Sequence, residues 1–187
     1  MNSLDRPAWR VALEAAIGLE GNNPTARYAQ LATVRPDGRP AARTLVFRGF
    51  LDGSDALTFT ADARSRKLAE TGRVELCWYL AASREQFRIA GTLRAVGPGD
   101  PDCDSAWAGL SDGSRRTFAW PEPGAPRAEP SAFEVEIPDA SRPPSNFRLL
   151  VLDPDGVDHL ELRGDPHRRR IARLGPGGGW SVEEVNP

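Results

Sequence analysis

A candidate anion-binding turn is formed by hydroxyl and basic side chains that open a predicted helix. The residues Ser65-Arg66-Lys67 begin the segment 65–71, whose pattern predicts that helix. The first turn of a helix presents unpaired N–H groups and a partial positive charge, and both favour a phosphate. Thr60 adds a hydroxyl donor, and Arg43, on an earlier strand, could complete a bidentate grip. These residue types therefore indicate a phosphate site.

The same turn has a second interpretation. Ser65 can cap the helix while Arg66 and Lys67 are ordinary solvated charges, because Ser-Arg-Lys is a common tripeptide. Lys67 is the only lysine among the 24 basic residues of this arginine-rich chain. Spacing alone leaves both interpretations open.

Short extended segments and turn residues predict a mainly β fold around this turn. Helices are also predicted at 7–20 and 101–110, and a long loop at 111–130. Extended segments are predicted at 26–34, 41–50, 56–60, 73–80, 85–96, 133–138, 146–153, 157–163, 168–174 and 180–185. These ten segments predict a sheet of roughly eight strands, with tight turns at the Pro-Asp-Gly sequences 36–38 and 154–156. The absence of a βαβ alternation favours an antiparallel barrel with peripheral helices.

The order of these elements resembles the pyridoxamine 5′-phosphate oxidase family. The chain reads RTLVFRG at 43–49, FT at 59–60 and SRK at 65–67, and Gln86 opens a later strand. The likeness covers about residues 8–187. It implies a single domain, 1–187, with an antiparallel split β-barrel of the Greek-key type. It also implies FMN as the cofactor and a homodimer with FMN at the subunit interface.

The resemblance further implies roles for individual residues. Arg43, Arg66 and Lys67 would hold the FMN phosphate, and the strand backbone would run beside the isoalloxazine ring. Gln86 would bond the flavin from the other subunit, and Arg170 would lie near the ring. The candidate cofactor-binding set is Arg43, Thr44, Leu45, Val46, Arg48, Phe59, Thr60, Ser65, Arg66, Lys67, Gln86, Trp120 and Arg170. No catalytic residue is assigned.

Two members of this set leave alternatives open. Arg48 is five residues from Arg43, so a regular strand directs their side chains to opposite faces. Both can contact one ligand only if one lies at a strand end or near a bulge. Trp120 lies with Phe118 in the segment SRRTFAWPEPG at 114–124. These two aromatic side chains either cover the flavin or its substrate, or pack beneath the proline-rich loop.

The substrate side departs from the family's namesake enzymes. Their C-terminal Arg-x-His element corresponds to Pro166 and Arg168, and a tryptophan near the flavin becomes Leu160. The Tyr…Arg…Ser signature for the substrate phosphate has no clear match. The sequence of segment 114–124 resembles that of a bacterial and plant subgroup of the family. Pyridoxamine 5′-phosphate is therefore not the expected substrate. We expect an FMN-dependent oxidoreductase of unknown substrate; the alternatives are a non-catalytic flavin-binding or redox-sensing module, and a true oxidase with a rearranged site.

Composition limits the other classes of function. A net charge of −2 argues against bulk nucleic-acid binding, and no run of about 18 apolar residues predicts a membrane span. The N-terminus lacks the pattern of a secretory signal, so a cytoplasmic protein is expected. His159 and His167 have no partners at metal-ligand spacing, so no metal site is predicted.

A basic cluster near the C-terminus is the last feature. Its members are Arg163, Arg168, Arg169, Arg170 and Arg173. A solvated or intersubunit role is the simplest interpretation, and an anionic partner such as nucleic acid is the alternative.

Overall fold

Antiparallel strands dominate the structure, a computed structural model that describes residues 6–65, 68, 70 and 72–187. The helices in these ranges are α1 (Ala8–Leu19), α2 (Pro101–Ala108) and α3 (Asp112–Arg116). The strands are β1 (Tyr28–Val34), β2 (Pro40–Val46), β3 (Gly49–Phe50), β4 (Leu57–Asp62), β5 (Gly72–Leu80), β6 (Glu85–Val96), β7 (Phe147–Glu161), β8 (Arg168–Leu174) and β9 (Trp180–Val185). The prediction of a mainly β, antiparallel fold is confirmed. None of the helices in the described ranges is long and apolar enough to cross a membrane.

One long strand, β7, organises the sheet. The strand order is β2-β1-β5-β6-β7-β4-β3, with β8 added beside β7 and β9 beside β8. The first half of β7, Phe147 to Leu152, pairs with β4, and its second half, Gly156 to Glu161, pairs with β8. β6 pairs along both halves on the other side. The sheet therefore divides at the middle of β7.

Two hydrophobic clusters lie on opposite faces of β4 and β7. The larger one fills the barrel with alternate strand residues, including Phe59, Trp78 and Phe87, and α1 covers it with Trp9 and Leu13. This apolar spacing confirms the amphipathic helix predicted at 7–20.

The smaller cluster lies outside the barrel. It joins Trp107 and Cys103 of α2 to Phe147, Leu149 and Val151 of β7. The region from Leu149 to Leu152 is buried at every residue because both faces of the strand are covered. Helix α2 also lines the cavity in which the candidate site lies.

The first hairpin forms where the sequence predicts it. β1 and β2 pair in register from Tyr28 opposite Val46 to Val34 opposite Pro40. The turn closes with the Arg35 N–H donating to the Arg39 carbonyl at 2.9 Å, and Gly38 has a φ of +81° that favours glycine. The predicted strand 41–50 is interrupted, however, because regular pairing stops at Val46 and resumes at Gly49.

Three other expectations are wrong. Residues 133–138 form no strand: Pro130–Phe133 is a 3₁₀ turn, and the Phe133 ring packs on Trp120 instead of on the sheet. The strands at 146–153 and 157–163 with a turn between them are in fact the single strand β7. The predicted loop 111–130 contains α3 and a 3₁₀ turn, Thr117–Ala119.

The remaining two helix predictions have different outcomes. The helix predicted at 101–110 is confirmed as α2, and the Asp100 carboxylate caps it by accepting from the Asp102 N–H at 3.0 Å. The helix predicted at 65–71 lies largely outside the described residues, because 66, 67, 69 and 71 are not among them.

Candidate functional site

A cavity of about 370 Å³ lies between the outer face of β4 and helix α2. Its lining residues are Arg27, Arg48, Phe50, Leu51, Asp52, Thr58, Thr60, Asp102, Ser105, Ala106, Gly109, Leu110 and Leu149. Thr58 and Thr60 alternate with the buried Phe59 along β4, so their side chains face the cavity while Phe59 faces the barrel core. Strand alternation therefore places hydroxyl groups on the cavity wall.

Two guanidinium groups share this cavity. Arg27 ends the 3₁₀ turn Pro24–Arg27, and Arg48 follows the end of β2. Neither Arg27 nor Arg48 forms an ion pair with a carboxylate in the described part of the chain. Partial burial at the cavity wall lowers the pKa of Arg48, and the charge of Arg27 lowers it further. Such a pair of like charges is suited to an anion.

A second cavity, of about 420 Å³, shares Arg48 and Thr60 with the first. It continues along β4 to the loop that carries Phe118 and Trp120. Because the two cavities share a wall, we describe them together as the groove. Phe118 packs edge-on against Trp107 at 5.5 Å, whereas Trp120 lies on the wall of the groove and is 37% exposed. Both side chains line this cavity, and both also pack on other aromatic rings, Phe118 on Trp107 and Trp120 on Phe133, so the two alternatives stay open.

A polar cluster, here called the loop clamp, joins this loop to the sheet. It consists of Asp62 at the end of β4, Arg64, and Asn146 just before β7. Arg64 donates to the carbonyl oxygens of Trp120 at 3.1 Å and Phe118 at 3.4 Å. The Asn146 amide donates to Phe118 O at 2.9 Å and to Asp62 Oδ2 at 3.0 Å. The loop clamp fixes the backbone on both sides of Ala119.

The ion pair of the loop clamp predicts a pH dependence of stability. Burial raises the pKa of Asp62, but hydrogen bonds from Arg64 and Asn146 outweigh it and hold that pKa below its ordinary value. A lowered carboxyl pKa stabilises the fold at neutral pH, and this contribution is lost as pH falls below about 4. We expect Asp62→Asn to lower the free energy of unfolding by about 1 kcal/mol at pH 7 and by much less near pH 3. Urea unfolding at the two pH values measures this difference, and equal losses at both would contradict it.

The predicted phosphate residues are only partly assembled. Arg43 donates to the Thr33 hydroxyl and pairs with the carboxylate of Glu70, which is 8% exposed. The Thr33 hydroxyl lowers the pKa of Glu70, and Arg43 lowers it further against the effect of burial. Arg43 lines neither of the two cavities of the groove. The structure therefore does not bring Arg43 to Arg48, as their opposite strand faces had indicated.

The hydroxyl groups of the predicted turn are more available. The side chains of Thr60 and Ser65 donate to no residue in the described ranges, and the Ser65 N–H donates to Asp62 O at 3.0 Å. Arg66 and Lys67 lie outside the described residues. The phosphate prediction thus stands untested at its two main charges.

The strand residues of the candidate set face several ways. Leu45 and Phe59 are buried in the barrel core, so only their backbone could contact a ligand. Thr44 is exposed and Val46 is half-buried.

Strand register separates Gln86 from Arg170. Gln86 pairs with Leu160, whereas Arg170 pairs with the neighbouring His159. Since neighbouring residues in a strand point to opposite faces, Gln86 lies on the outward face and Arg170 on the inward face beside buried His159. The structure does not bring these two side chains together.

Carboxylates neutralise most of the C-terminal basic cluster. The pairs are Arg168 with Glu184, Arg169 with Asp158, Arg170 with Glu161 and Arg173 with Glu183. Arg163 donates to the carbonyl of Ala82. Nearby, the His159 ring stacks on Phe87 at 4.1 Å, and its Nε2 lies 2.5 Å from Glu85 Oε2. This arrangement favours the structural interpretation of the cluster.

Sequence reasoning missed Arg27, Arg64 and Asn146. Arg27 precedes β1 and lines the cavity from the end of the 3₁₀ turn. No sequence motif predicts this position. Asn146 is 84 residues from its partner Asp62 and meets it only because β4 and β7 pair. Arg64 directly precedes the predicted phosphate turn at Ser65, and this position is the one feature of the sequence that could have indicated its role.

Known proteins with the same sequence features and fold were found by three comparisons. The family model described as pyridoxamine 5′-phosphate oxidase, FMN-binding domain, matches residues 6–97. An Arabidopsis thaliana protein named pyridoxine/pyridoxamine 5′-phosphate oxidase 2 is 36% identical over 192 residues, which cover 96% of each chain. The crystal structure of a pyridoxamine 5′-phosphate oxidase-related, FMN-binding protein from Nostoc punctiforme PCC 73102 is similar with a TM-score of 0.95 and 45% identity, covering 98% of this chain and 100% of that one.

A more distant structure shares the fold alone. PhzG from Burkholderia lata 383, solved in complex with tetrahydrophenazine-1-carboxylic acid, matches with a TM-score of 0.77 and 21% identity, covering 98% of this chain and 95% of that one. Together with the Nostoc structure, it confirms the predicted split β-barrel.

Proposed function

Because the chain belongs to the pyridoxamine 5′-phosphate oxidase family, we propose that it is an FMN-dependent oxidoreductase whose organic substrate carries an anionic group. The observation that carries the substrate class is the cavity that Arg27 and Arg48 both line. Asp52 and Asp102 also line it, but in the described part of the chain no carboxylate forms an ion pair with either arginine. FMN, when bound, would accept two electrons from the substrate. Such a reaction requires the protein to bind, orient and electrostatically stabilise the partners.

The donor set fits a flavin phosphate at the Ser65 turn. Thr60 and Ser65 supply hydroxyl groups that no described residue occupies, and Arg66 and Lys67 supply two positive charges in the sequence. We place the phosphate there and the substrate anion at Arg27 and Arg48. Thr60 lies on the groove, so the two binding regions are adjacent.

We further propose a homodimer with FMN at the subunit interface. The outward face of β5, β6 and β7 presents Tyr79, Gln86 and Leu160 side by side in register. Tyr79 is 49% exposed, so this face offers an aromatic side chain that a second subunit could cover. A second subunit on this face would bring its Gln86 to the flavin. The contact of Arg170 with the ring remains a prediction.

A true oxidase of pyridoxine 5′-phosphate or pyridoxamine 5′-phosphate is the second candidate. The named Arabidopsis relative, similar over nearly the whole chain, favours it. Arg27 and Arg48 could replace the missing Tyr…Arg…Ser donors, which is the rearranged phosphate site that this alternative needs. If this candidate fails, the chain falls in the subgroup without the substrate-phosphate signature.

The test is anaerobic reduction of the flavin in the purified holoprotein. We expect added FMN to bind and the flavin absorbance to bleach with an anionic substrate, beginning with the two phosphorylated vitamin B6 compounds. Bleaching by neither compound but by a nicotinamide cofactor would reject the second candidate and keep the first. A protein that takes up no FMN would reject both, and bound flavin that no donor reduces would indicate a flavin-binding module.

Removing the substrate anion site should separate substrate binding from cofactor binding. We expect Arg48→Ala to raise KM for the anionic substrate about tenfold, because one partly solvated charge-assisted contact is lost. Arg27→Ala should raise KM about threefold, because Arg27 lines only one of the two cavities that Arg48 lines. Steady-state kinetics and an FMN titration measure the two effects. Equal losses of FMN affinity and substrate affinity would contradict this division of the site.

A further inference from the structure

The loop clamp connects two parts of the groove that are distant in sequence. Arg64 and Asn146 both donate to Phe118 O, and Arg64 also donates to Trp120 O. Both carbonyl groups belong to the loop whose Trp120 side chain lies on the groove wall. Arg48 and Thr60 line the same part of the groove. The width of the groove at this point therefore depends on where the loop clamp holds the loop.

The acid of the loop clamp keeps its two donors in place. Asp62 accepts from Arg64 Nε at 3.0 Å and from Asn146 at 3.0 Å, and its side chain is 13% exposed. An arginine held by a carboxylate retains free N–H groups in fixed directions, which suits it to bind two carbonyl oxygens. The geometry thus orients Arg64 toward the loop and not toward solvent.

Aromatic contacts in the described part of the chain hold the two sides of the same loop differently. Phe118 packs on Phe147 at 5.1 Å and on Trp107, so it anchors the loop to the smaller cluster. Trp120 contacts Phe133, which belongs to the same irregular region and not to the sheet. Hydrogen bonds from the loop clamp therefore connect the backbone of Phe118 and Trp120 to the end of β4 and the start of β7.

We propose that Arg64 and Asn146 are positioning residues that hold Trp120 as the wall of the substrate groove. This inference rests on the proposed function, because it assigns the groove to the substrate. Arg64 directly precedes Ser65, so the loop clamp also places the substrate wall at a fixed distance from the predicted phosphate turn. The consecutive residues Arg64 and Ser65 would thereby align the substrate with the flavin.

The variants are Arg64→Ala, Asn146→Ala and the conservative Arg64→Lys, with Arg94→Ala as the matched control. Arg94 forms an exposed ion pair with Asp153 at 3.0 Å and donates no hydrogen bond to the loop within the described residues. The first measurement is chymotryptic cleavage after Phe118 in the holoprotein. We expect Arg64→Ala and Asn146→Ala to accelerate this cleavage about tenfold, since opening the loop exposes the bond. Arg94→Ala should cleave at the wild-type rate.

The second measurement is steady-state turnover of pyridoxine 5′-phosphate. We expect KM to rise about tenfold in Asn146→Ala, with kcat changed less than about twofold, because the variant loses substrate positioning and no reacting group. Its FMN affinity should equal that of the wild type. Arg64→Lys should recover part of the lost substrate affinity, since an ammonium group retains the ion pair with Asp62 but not both loop contacts.

The outcomes separate this inference from the proposed function. Unchanged cleavage after Phe118, or faster cleavage with an unchanged KM, would overturn the inference. If the wild type binds FMN but does not turn over pyridoxine 5′-phosphate, that substrate is rejected. The rate of cleavage after Phe118 is then the test of whether the loop clamp holds the loop. Equal cleavage in wild type and Asn146→Ala would in that case reject it.

Discussion

Replacing Arg66 and Lys67 together with alanine is expected to weaken FMN binding by about a hundredfold or more. Each residue would contribute a charge-assisted hydrogen bond to the phosphate, worth about 1.5 to 3 kcal/mol, and about 1.4 kcal/mol corresponds to a factor of ten in affinity. Fluorescence titration of the apoprotein with FMN measures this loss. The same titration with riboflavin, which has no phosphate, should show little change, because the two charges act on the phosphate alone.

A control must remove the same charge elsewhere. Arg73→Ala with Arg94→Ala removes two arginines from exposed ion pairs with Asp155 and Asp153. Its net charge equals that of the test variant, so a long-range electrostatic effect would weaken FMN binding in both. Unchanged FMN affinity in Arg66→Ala with Lys67→Ala would show that the phosphate binds elsewhere.

Arg43 is a poorer test of the same site. Its guanidinium pairs with Glu70, which is nearly buried, so Arg43→Ala would leave an uncompensated carboxylate. Loss of such a partner destabilises a protein independently of any ligand. A weakened affinity for FMN in that variant would therefore be ambiguous.

Candidate site residues could be predicted from the sequence where the chemistry is local, although the phosphate site itself stays a prediction. Ser65-Arg66-Lys67 and Thr60 were identified because hydroxyl and basic residues cluster within a few positions. The substrate half depends on contacts between distant segments, as in the meeting of Asn146 with Asp62 through the pairing of β7 with β4. The direction of side chains across the sheet could not be predicted either. Gln86 and Arg170 lie on opposite faces, which follows only once the strand register is known.

The fold was predictable where turn residues and strand partners agree. Pro36-Asp37-Gly38 forms the expected turn because β1 and β2 are each short and pair with one another in register up to that turn. The same three residue types at 154–156 form no turn. There β6 offers a long partner strand, and the register shift between Ala90 and Gly91 accommodates the extra residue as a bulge. Pro154 is tolerated at this bulge although it has no N–H to donate.

This bulge makes Gly91 the position most sensitive to a single added carbon. A Cβ at residue 91 would lie 2.9 Å from both the carbonyl carbon of Asp153 and Cα of Pro154, and closer still to the Asp153 oxygen. These are backbone atoms in the middle of β7 that pair directly with β6, so neither can move aside without disturbing that pairing. Gly91 is thus required by the close approach of two backbones and not by its own φ.

We expect Gly91→Ala to lower the free energy of unfolding by about 3 kcal/mol or more, at the upper end of the range for overpacking. For a chain of this length the corresponding drop in Tm is roughly 10 °C, which circular dichroism can follow. Gly156→Ala is the matched control across the same bulge, because its added Cβ would meet only the Ala90 Cβ at 3.8 Å. It should change stability by less than about 1 kcal/mol. Similar losses in both variants would mean that glycine flexibility, and not the contact with Asp153, is what the bulge requires.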